Sequence, residues 1–338
     1  MEMTKAENEC VSAVRREVAE MEKERCVYCM SPVSENGICS VCGLNSGDYV
    51  PEEHHLPPGT VLSGRYLVGK ALGGGGFGIT YLGYDKRLDR KVAIKEYFPT
   101  DNAFRLSKLS LEVSCYTGNA SHRFEERKKK FLREARTMAR LEKLHAVVGI
   151  RDFFEENNTA YIIMEYIEGT TLRELTEQKG GHISVGELFP MLEPLFGELD
   201  EMHSQSLIHR DISPENLMLE RGQIRLLDFG CAREAGTITE TMTIALKSGF
   251  APIEQYQHKG QGPWTDVYAL SATIYYCLTG KVPEHSIDRI CKDELILPRR
   301  LGVEISMEQE HALLYGMGIR PRRRFQSMRD LHDALYLN

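Results

Sequence analysis

Three side chains suited to phosphate and cation chemistry stand close together between Leu207 and Cys231, in L-I-H-R-D-I-S-P-E-N-L-M-L-E-R-G-Q-I-R-L-L-D-F-G-C: Asp211, Asn216 and Asp228. In-line phosphoryl transfer needs a carboxylate beside the attacking hydroxyl, and oxygen ligands for the magnesium ions that bridge the phosphates of a nucleotide. Asp211 suits the first task, Asn216 and Asp228 the second. A strand, turn and strand pattern separates Asn216 from Asp228, so a hairpin is expected to carry the two magnesium ligands on its ends.

A second set of chemistry-bearing residues lies near the N-terminus, in C-V-Y-C-M-S-P-V-S-E-N-G-I-C-S-V-C-G. Cys26 and Cys29 form one C-x-x-C pair, Cys39 and Cys42 another. Each pair can offer two thiolates to one ion from a tight turn, and Gly43 lets the backbone curl beneath it. The segment is too short to bury a core, so metal binding would supply its folding energy, and a structural zinc site of four cysteines is predicted. A reduced, disordered cysteine tract and a redox-active pair are the alternatives; two pairs at this spacing suit one tetrahedral ion better. With Arg25 as its only basic residue, the segment suits protein contacts or sensing rather than phosphates.

These sites need elements to position them, and the 338 residues, 42% of them hydrophobic, suffice for one large folded domain and a small module. Residues 1–59 hold eleven acidic and five basic side chains, which accounts for most of the net charge of −7. Neither part has the basic surplus of a nucleic-acid binder, so no nucleic acid is expected as partner. No apolar run is long enough to span a membrane, and M-E-M-T-K-A-E-N-E lacks a signal-peptide core, so a cytoplasmic protein is expected. In that setting the five scattered cysteines (Cys10, Cys115, Cys231, Cys277, Cys291) read as free thiols. Val11, Val14, Val18 and Met21 recur at helical spacing, predicting an amphipathic helix that packs on its own chain or serves a partner or self-association. Residues 46–60 read as a linker stiffened by Pro51, Pro57 and Pro58, with His54 and His55 able to bind metal but more simply solvated.

The remaining motifs converge on one family. G-G-G-G-F-G-I-T-Y holds Gly73, Gly75 and Gly78 in a G-x-G-x-x-G string; dinucleotide folds use the same string, but Phe77 and a following strand favour a phosphate-covering flap. K-V-A-I-K places Lys95 on a strand, F-L-R-E-A-R-T-M-A-R-L places Glu134 on a helix with Phe131, Ala135, Met138 and Leu141 inward, and A-Y-I-I-M-E-Y-I-E-G reads as a buried strand. With H-R-D-x-x-x-x-N, D-F-G and G-F-A-P-I-E-Q-Y, the chain from about Thr60 onward resembles the eukaryotic-like serine/threonine protein kinases of bacteria, in particular a subgroup reading H-R-D-I-S-P-x-N with an N-terminal zinc ribbon.

The resemblance implies an α+β, two-lobed protein kinase fold, with a small β-rich N-lobe (60–167) and a larger helical C-lobe (168–338). It would follow a helix (1–24), the ribbon (25–48) and a linker (49–59). It also implies ATP, magnesium and a protein substrate. Lys95, paired with Glu134, would contact the α- and β-phosphates beneath a flap of Gly73, Gly74, Gly75, Gly76, Phe77 and Gly78. Thr80, Ala93, Met164 as gatekeeper, Glu165 to Ile167, and Met218 would surround adenine. Asp211 would be the catalytic carboxylate, Glu254 would pair with Arg324, and Asp266 would cap the catalytic loop. Thr237, Thr239, Thr241, Thr243 and Ser248 form a candidate activation segment whose phosphorylation would order it against Arg210, unless the loop is simply hydroxyl-rich and unmodified. The segment between Lys95 and Glu134 is longer than usual for the family, and its basic run Arg127–Arg133 reads as a solvated helix face or a docking site.

One departure matters for chemistry. Ser213 occupies the position at which serine/threonine kinases carry a lysine whose charge helps neutralise the γ-phosphate. Lys247 is expected to reach in and replace that cation. The sequence therefore predicts an ATP-dependent protein kinase that also phosphorylates its own activation segment. A pseudokinase scaffold recruiting partners through its N-terminal module, and a small-molecule kinase on the same fold, are the rivals.

Overall fold

The computed structural model describes residues 25–33, 37–76, 78–108, 110–227, 233–234, 246–257 and 259–337. The predicted helix over 1–24 lies outside them. Two compact units divide the chain: residues 1–128 with 152–166, and residues 129–151 with 167–338.

The first unit is built on strands β1 (Val61–Leu62), β2 (Tyr66–Gly75), β3 (Gly78–Asp85), β4 (Arg90–Tyr97), β7 (Ile150–Glu156) and β8 (Thr159–Glu165), in the order β1-β2-β3-β4-β8-β7. β3 and β4 are buried nearly from end to end, so both faces of the sheet are covered. Register sorts their side chains. Thr80 lies opposite Lys95 and Lys95 opposite Ile162, while Leu82 lies opposite Ala93 and Ala93 opposite Met164. Directly paired residues share a face and neighbours along a strand alternate, so Thr80, Ala93, Lys95 and Met164 lie on one face. Tyr81, Glu96 and Tyr161 lie on the other.

That second face is closed by the segment before β1. The Leu56 N–H donates to the Tyr81 hydroxyl at 3.0 Å, and Arg105 donates to the His54 carbonyl while pairing with Glu96. Leu56 and His55 are buried. Residues 46–60, predicted as a solvated linker, thus carry His55 inside the fold. The prolines fix the path, and the buried polar groups beneath give its backbone partners. The long stretch after Lys95 folds into a hairpin of β5 (Ala103–Phe104) and β6 (Ser114–Cys115), tied to the β7–β8 turn by Asn158 Nδ2 donating to the Val113 carbonyl.

Helix α1 (Asn119–Met138) follows, with Phe131, Ala135 and Met138 inward and Leu141 buried just beyond, as the spacing predicted. Its basic run differs from the expected solvated face. Lys128 is buried between Glu125 (3.1 Å) and Glu155 (3.3 Å), and Arg127 pairs with Asp101 at 3.2 Å. Lys129 and Arg133 remain exposed.

The second unit contains α2 (Leu172–Gln178), α3 (Val185–Ser204), α4 (Ile253–Tyr256), α5 (Pro263–Thr279), α6 (Ser286–Cys291), α7 (Met307–Gly316) and α8 (Met328–Tyr336). Every residue of α5 from Thr265 to Leu278 is buried, the pattern of a helix packed on all sides. The helix ends at Gly280, whose φ of 69° and approach to the Gly181 carbonyl leave no room for a side chain. Short strands β9 (Thr170–Thr171), β10 (Leu207–Ile208), β11 (Leu217–Glu220), β12 (Gln223–Leu226) and β13 (Arg233–Glu234) lie among the helices. The β11–β12 hairpin, turned through Arg221 and Gly222 at positive φ, is the predicted strand, turn and strand.

Candidate active site

The loop from His209 to Asn216 is irregular backbone held from below. Its Arg210 sits at φ 71°, a left-handed conformation that a non-glycine residue adopts at a cost. Buried Asp266 on α5 accepts the N–H groups of His209 (2.7 Å) and Arg210 (2.8 Å), and Gln255 Nε2 donates to the Arg210 carbonyl at 2.8 Å. Burial alone would raise the Asp266 carboxyl, but His203 Nε2 at 2.8 Å and the backbone donors outweigh it and hold the group below the usual carboxylate range. The predicted pair of Glu254 and Arg324 is present, bidentate at 2.7 and 2.9 Å and fully buried, with Thr265 donating to the same carboxylate.

Above this base, Asn216 Nδ2 donates at 2.8 Å both to the Asp211 carbonyl and to Asp211 Oδ2. Both amide hydrogens are thereby committed, which leaves the amide oxygen as the atom available to a hard cation such as magnesium. Lys247 Nζ donates to Ser213 Oγ at 2.7 Å and stands 3.5 Å from Asp211 Oδ1 and 4.0 Å from Glu215 Oε2. Glu215 in turn receives Arg173; burial raises its carboxyl, but the backbone, Arg173 and Lys247 together bring it below its ordinary value. Ser213 is fully buried, whereas the Lys247 side chain keeps 31% of its surface exposed.

In the first unit, Thr80, Ala93, Lys95 and Met164 share a face, with Lys95 largely buried, while Gly73 to Gly75 end β2 and Gly78 opens β3. Glu165, paired with Val92, lies on the opposite face. In the second unit, Glu134 lies on α1, Ile167 is buried, and Met218 sits on β11 opposite Thr171 and Arg225. Phe77, Asp228 and Thr237 to Thr243 lie outside the described residues, whereas Ser248 is exposed.

The four cysteines come together as the spacing predicted. Cys26, Cys29, Cys39 and Cys42 place their sulfur atoms within 4.8 Å of one another. The turns that present them are closed by Met30 N–H to the Cys26 carbonyl and Gly43 N–H to the Cys39 carbonyl, both 2.8 Å. The backbone N–H of Cys42 helps bring the Cys39 thiol down to about 6. Four convergent thiols fit a tetrahedral zinc ion.

Sequence reasoning missed how this ribbon docks. Met30 packs with Leu82 and Tyr84, the Lys70 N–H donates to the Val27 carbonyl at 2.9 Å, and Arg25 lies 3.5 Å over the Tyr84 ring. Tyr49 accepts the Ala71 N–H at 2.8 Å, two residues before the glycine string begins at Gly73. The available signal was a lone Met and two tyrosines in a polar segment, which carry no periodicity.

No helix among the described residues is long and apolar enough to cross a membrane. Serine/threonine-protein kinase PknL of Mycobacterium tuberculosis is 34% identical over 66% of this chain and 51% of its own length. Serine/threonine-protein kinase PrkC of Bacillus subtilis is 28% identical over 81% of the chain and 40% of its length. The chain thus spans about half, or less, of the curated relatives it matches. A solved structure titled "PpkA-294 apo form" superposes with a TM-score of 0.72 at 35% identity, covering 83% of this chain and 99% of that one. Residues 66–312 match the protein kinase domain, and with the catalytic loop and sheet described above the chain belongs to the protein kinase family.

Proposed function

We propose that this protein transfers the γ-phosphoryl group of ATP to serine and threonine hydroxyls of proteins, its own activation segment among them. The observation that carries this is the cluster of Asp211, Asn216 and Lys247 on a loop fixed by buried Asp266. Asp211 orients the substrate hydroxyl and accepts its proton as the oxygen attacks. Lys247, standing where Ser213 brings no charge, supplies the cation that meets charge developing on the transferred group. Lys95, supported by Glu134, and the glycine flap hold the nucleotide phosphates, with Thr80, Ala93, Met164, Glu165, Ile167 and Met218 around the base. Magnesium, held by Asn216 and Asp228, would neutralise phosphate charge. Cys26, Cys29, Cys39 and Cys42 hold a structural zinc ion, which fits the subgroup with an N-terminal ribbon.

The names of the relatives do not favour a scaffold without activity. The test is transfer of labelled γ-phosphate from Mg·ATP to the protein itself and to a generic basic protein, beside Asp211→Asn, with phosphosites mapped by mass spectrometry. Incorporation that disappears in the variant is expected; none in the wild-type chain, with ATP still bound, would leave a nucleotide-binding scaffold.

A further inference from the structure

The segment that closes the sheet face opposite Lys95 carries a donor set of its own. Glu52, His54 and His55 each offer one ligand atom within 4.8 Å of the other two. His54 Nε2 lies 3.7 Å from Glu52 Oε2, and the two imidazole rings meet edge to face at 4.7 Å. We propose that these three residues form a second metal site, separate from the four cysteines, that takes a divalent transition ion of the zinc class.

Several independent features point to it. His55 is only 8% exposed, yet its Nδ1 has no hydrogen-bond partner. A buried imidazole nitrogen rarely stays bare, since it has given up water without gaining a partner. The backbone that presents the donors is already fixed: Arg105 holds the His54 carbonyl, the His54 ring stacks on Phe98 at 5.6 Å, and Tyr81 holds the Leu56 N–H. Ligands fixed in this way lose little freedom when an ion binds. Metal–ligand distances of about 2.0–2.2 Å place tetrahedral neighbours roughly 3.3 Å apart, so the donors need close by only about an ångström or two.

The three residues also border a cleft of about 570 Å³ that Gly73 to Gly75 and Ile79 line with them. Water can therefore complete the coordination sphere, the arrangement of a three-ligand site with an open position. Two imidazoles and one carboxylate favour zinc, cobalt, nickel or copper over magnesium or calcium. An ion here would stand beside the glycine strand on the side away from Lys95.

The test uses the full chain loaded with zinc, freed of loosely held ion by dialysis, and analysed for metal per chain. Two ions are expected in the wild-type protein and one in the His54→Ala/His55→Ala double variant, which keeps the cysteine site. Because His55 is buried, Glu52→Gln provides a second arm: Glu52 is exposed, so its change spares the fold and should weaken the second equivalent by at least about tenfold. In a cobalt titration the second equivalent should lack the thiolate-to-cobalt charge-transfer band that marks the cysteine site. A single ion in the wild-type chain, two ions retained in both variants, or a second equivalent with thiolate character would each overturn the proposal.

Discussion

The loop carrying Asp211 and the ribbon carrying the cysteines are both irregular backbone that must hold a fixed geometry, and they are held in different ways. The loop hangs from groups buried in the surrounding fold: Asp266 takes two of its N–H groups, Gln255 of α4 donates to its Arg210 carbonyl, and the neighbouring Glu254 anchors α4 through a fully buried pair with Arg324. The ribbon has almost no interior. Cys26, Cys39 and Met30 are buried, whereas Val41 is 71% exposed and Leu44 47%. Its backbone bonds close each turn, and besides the four sulfurs the two turns are joined by few contacts, among them the Val27 N–H donating to Ser46 Oγ at 3.1 Å and Tyr28 meeting Tyr49 edge to face. The loop is held by buried protein groups; on the proposed reading, the ribbon needs a metal ion as well.

Removing metal should widen this contrast most. Structural zinc is worth about 10–16 kcal/mol in isolated zinc-finger peptides, so chelation should erase amide-exchange protection at Cys26, Met30, Cys39 and Gly43 while His209 and Arg210 keep theirs. Equal loss in both regions would mean that the loop also depends on the ribbon. Next in size, Asp211→Asn should lower kcat by roughly 10²–10⁴ with an unchanged melting temperature, because the loop is positioned from beneath and not by its own carboxylate.

Arg324→Ala leaves Glu254 buried without its partner and should cost about 3–5 kcal/mol in urea unfolding, most of it restored when Glu254 is also made apolar. A loss near zero would show that the buried pair does not set the loop's foundation. Lys247→Ala should reduce kcat more than tenfold, about 1.4 kcal/mol or more, with ATP affinity retained; a smaller loss removes the lysine from the transition state. The smallest effect is expected from Tyr49→Phe, where losing the acceptor for the Ala71 N–H should cost about 1 kcal/mol of local stability, read as faster exchange at Ala71.

Much of the second unit was legible because its function needs particular atoms in a particular order. Asp211, Asn216, the Asp266 cap and the Glu254–Arg324 pair could be named from motif and chemistry. Lys247 could be named from an absence, since Ser213 leaves a charge requirement unfilled. The inward face of α1 followed from periodicity, and β3 and β4 from the glycine string and the V-A-I-K motif. What escaped were contacts between distant segments that leave no local pattern. Lys128 looks solvated in a basic run until Glu155, on another strand, is seen beside it. The proline- and glutamate-rich stretch around His55 reads as linker by composition, and its burial depends on Tyr81, Glu96 and Arg105 from three other places in the chain.

The alternation of β4 has a practical consequence for where the chain can be cut. Lys95 faces one side of the sheet, and its neighbour Glu96 faces the other, where Tyr81, Tyr161 and Arg105 surround it beneath Leu56. The protein kinase match begins at residue 66, an inviting boundary for a truncated protein. Trimming there would take away the lid over Glu96, wet a buried carboxylate directly behind Lys95, and free the strand that carries both. A shortened chain that expresses well and binds ATP poorly would then be reporting a missing roof rather than a missing catalytic group.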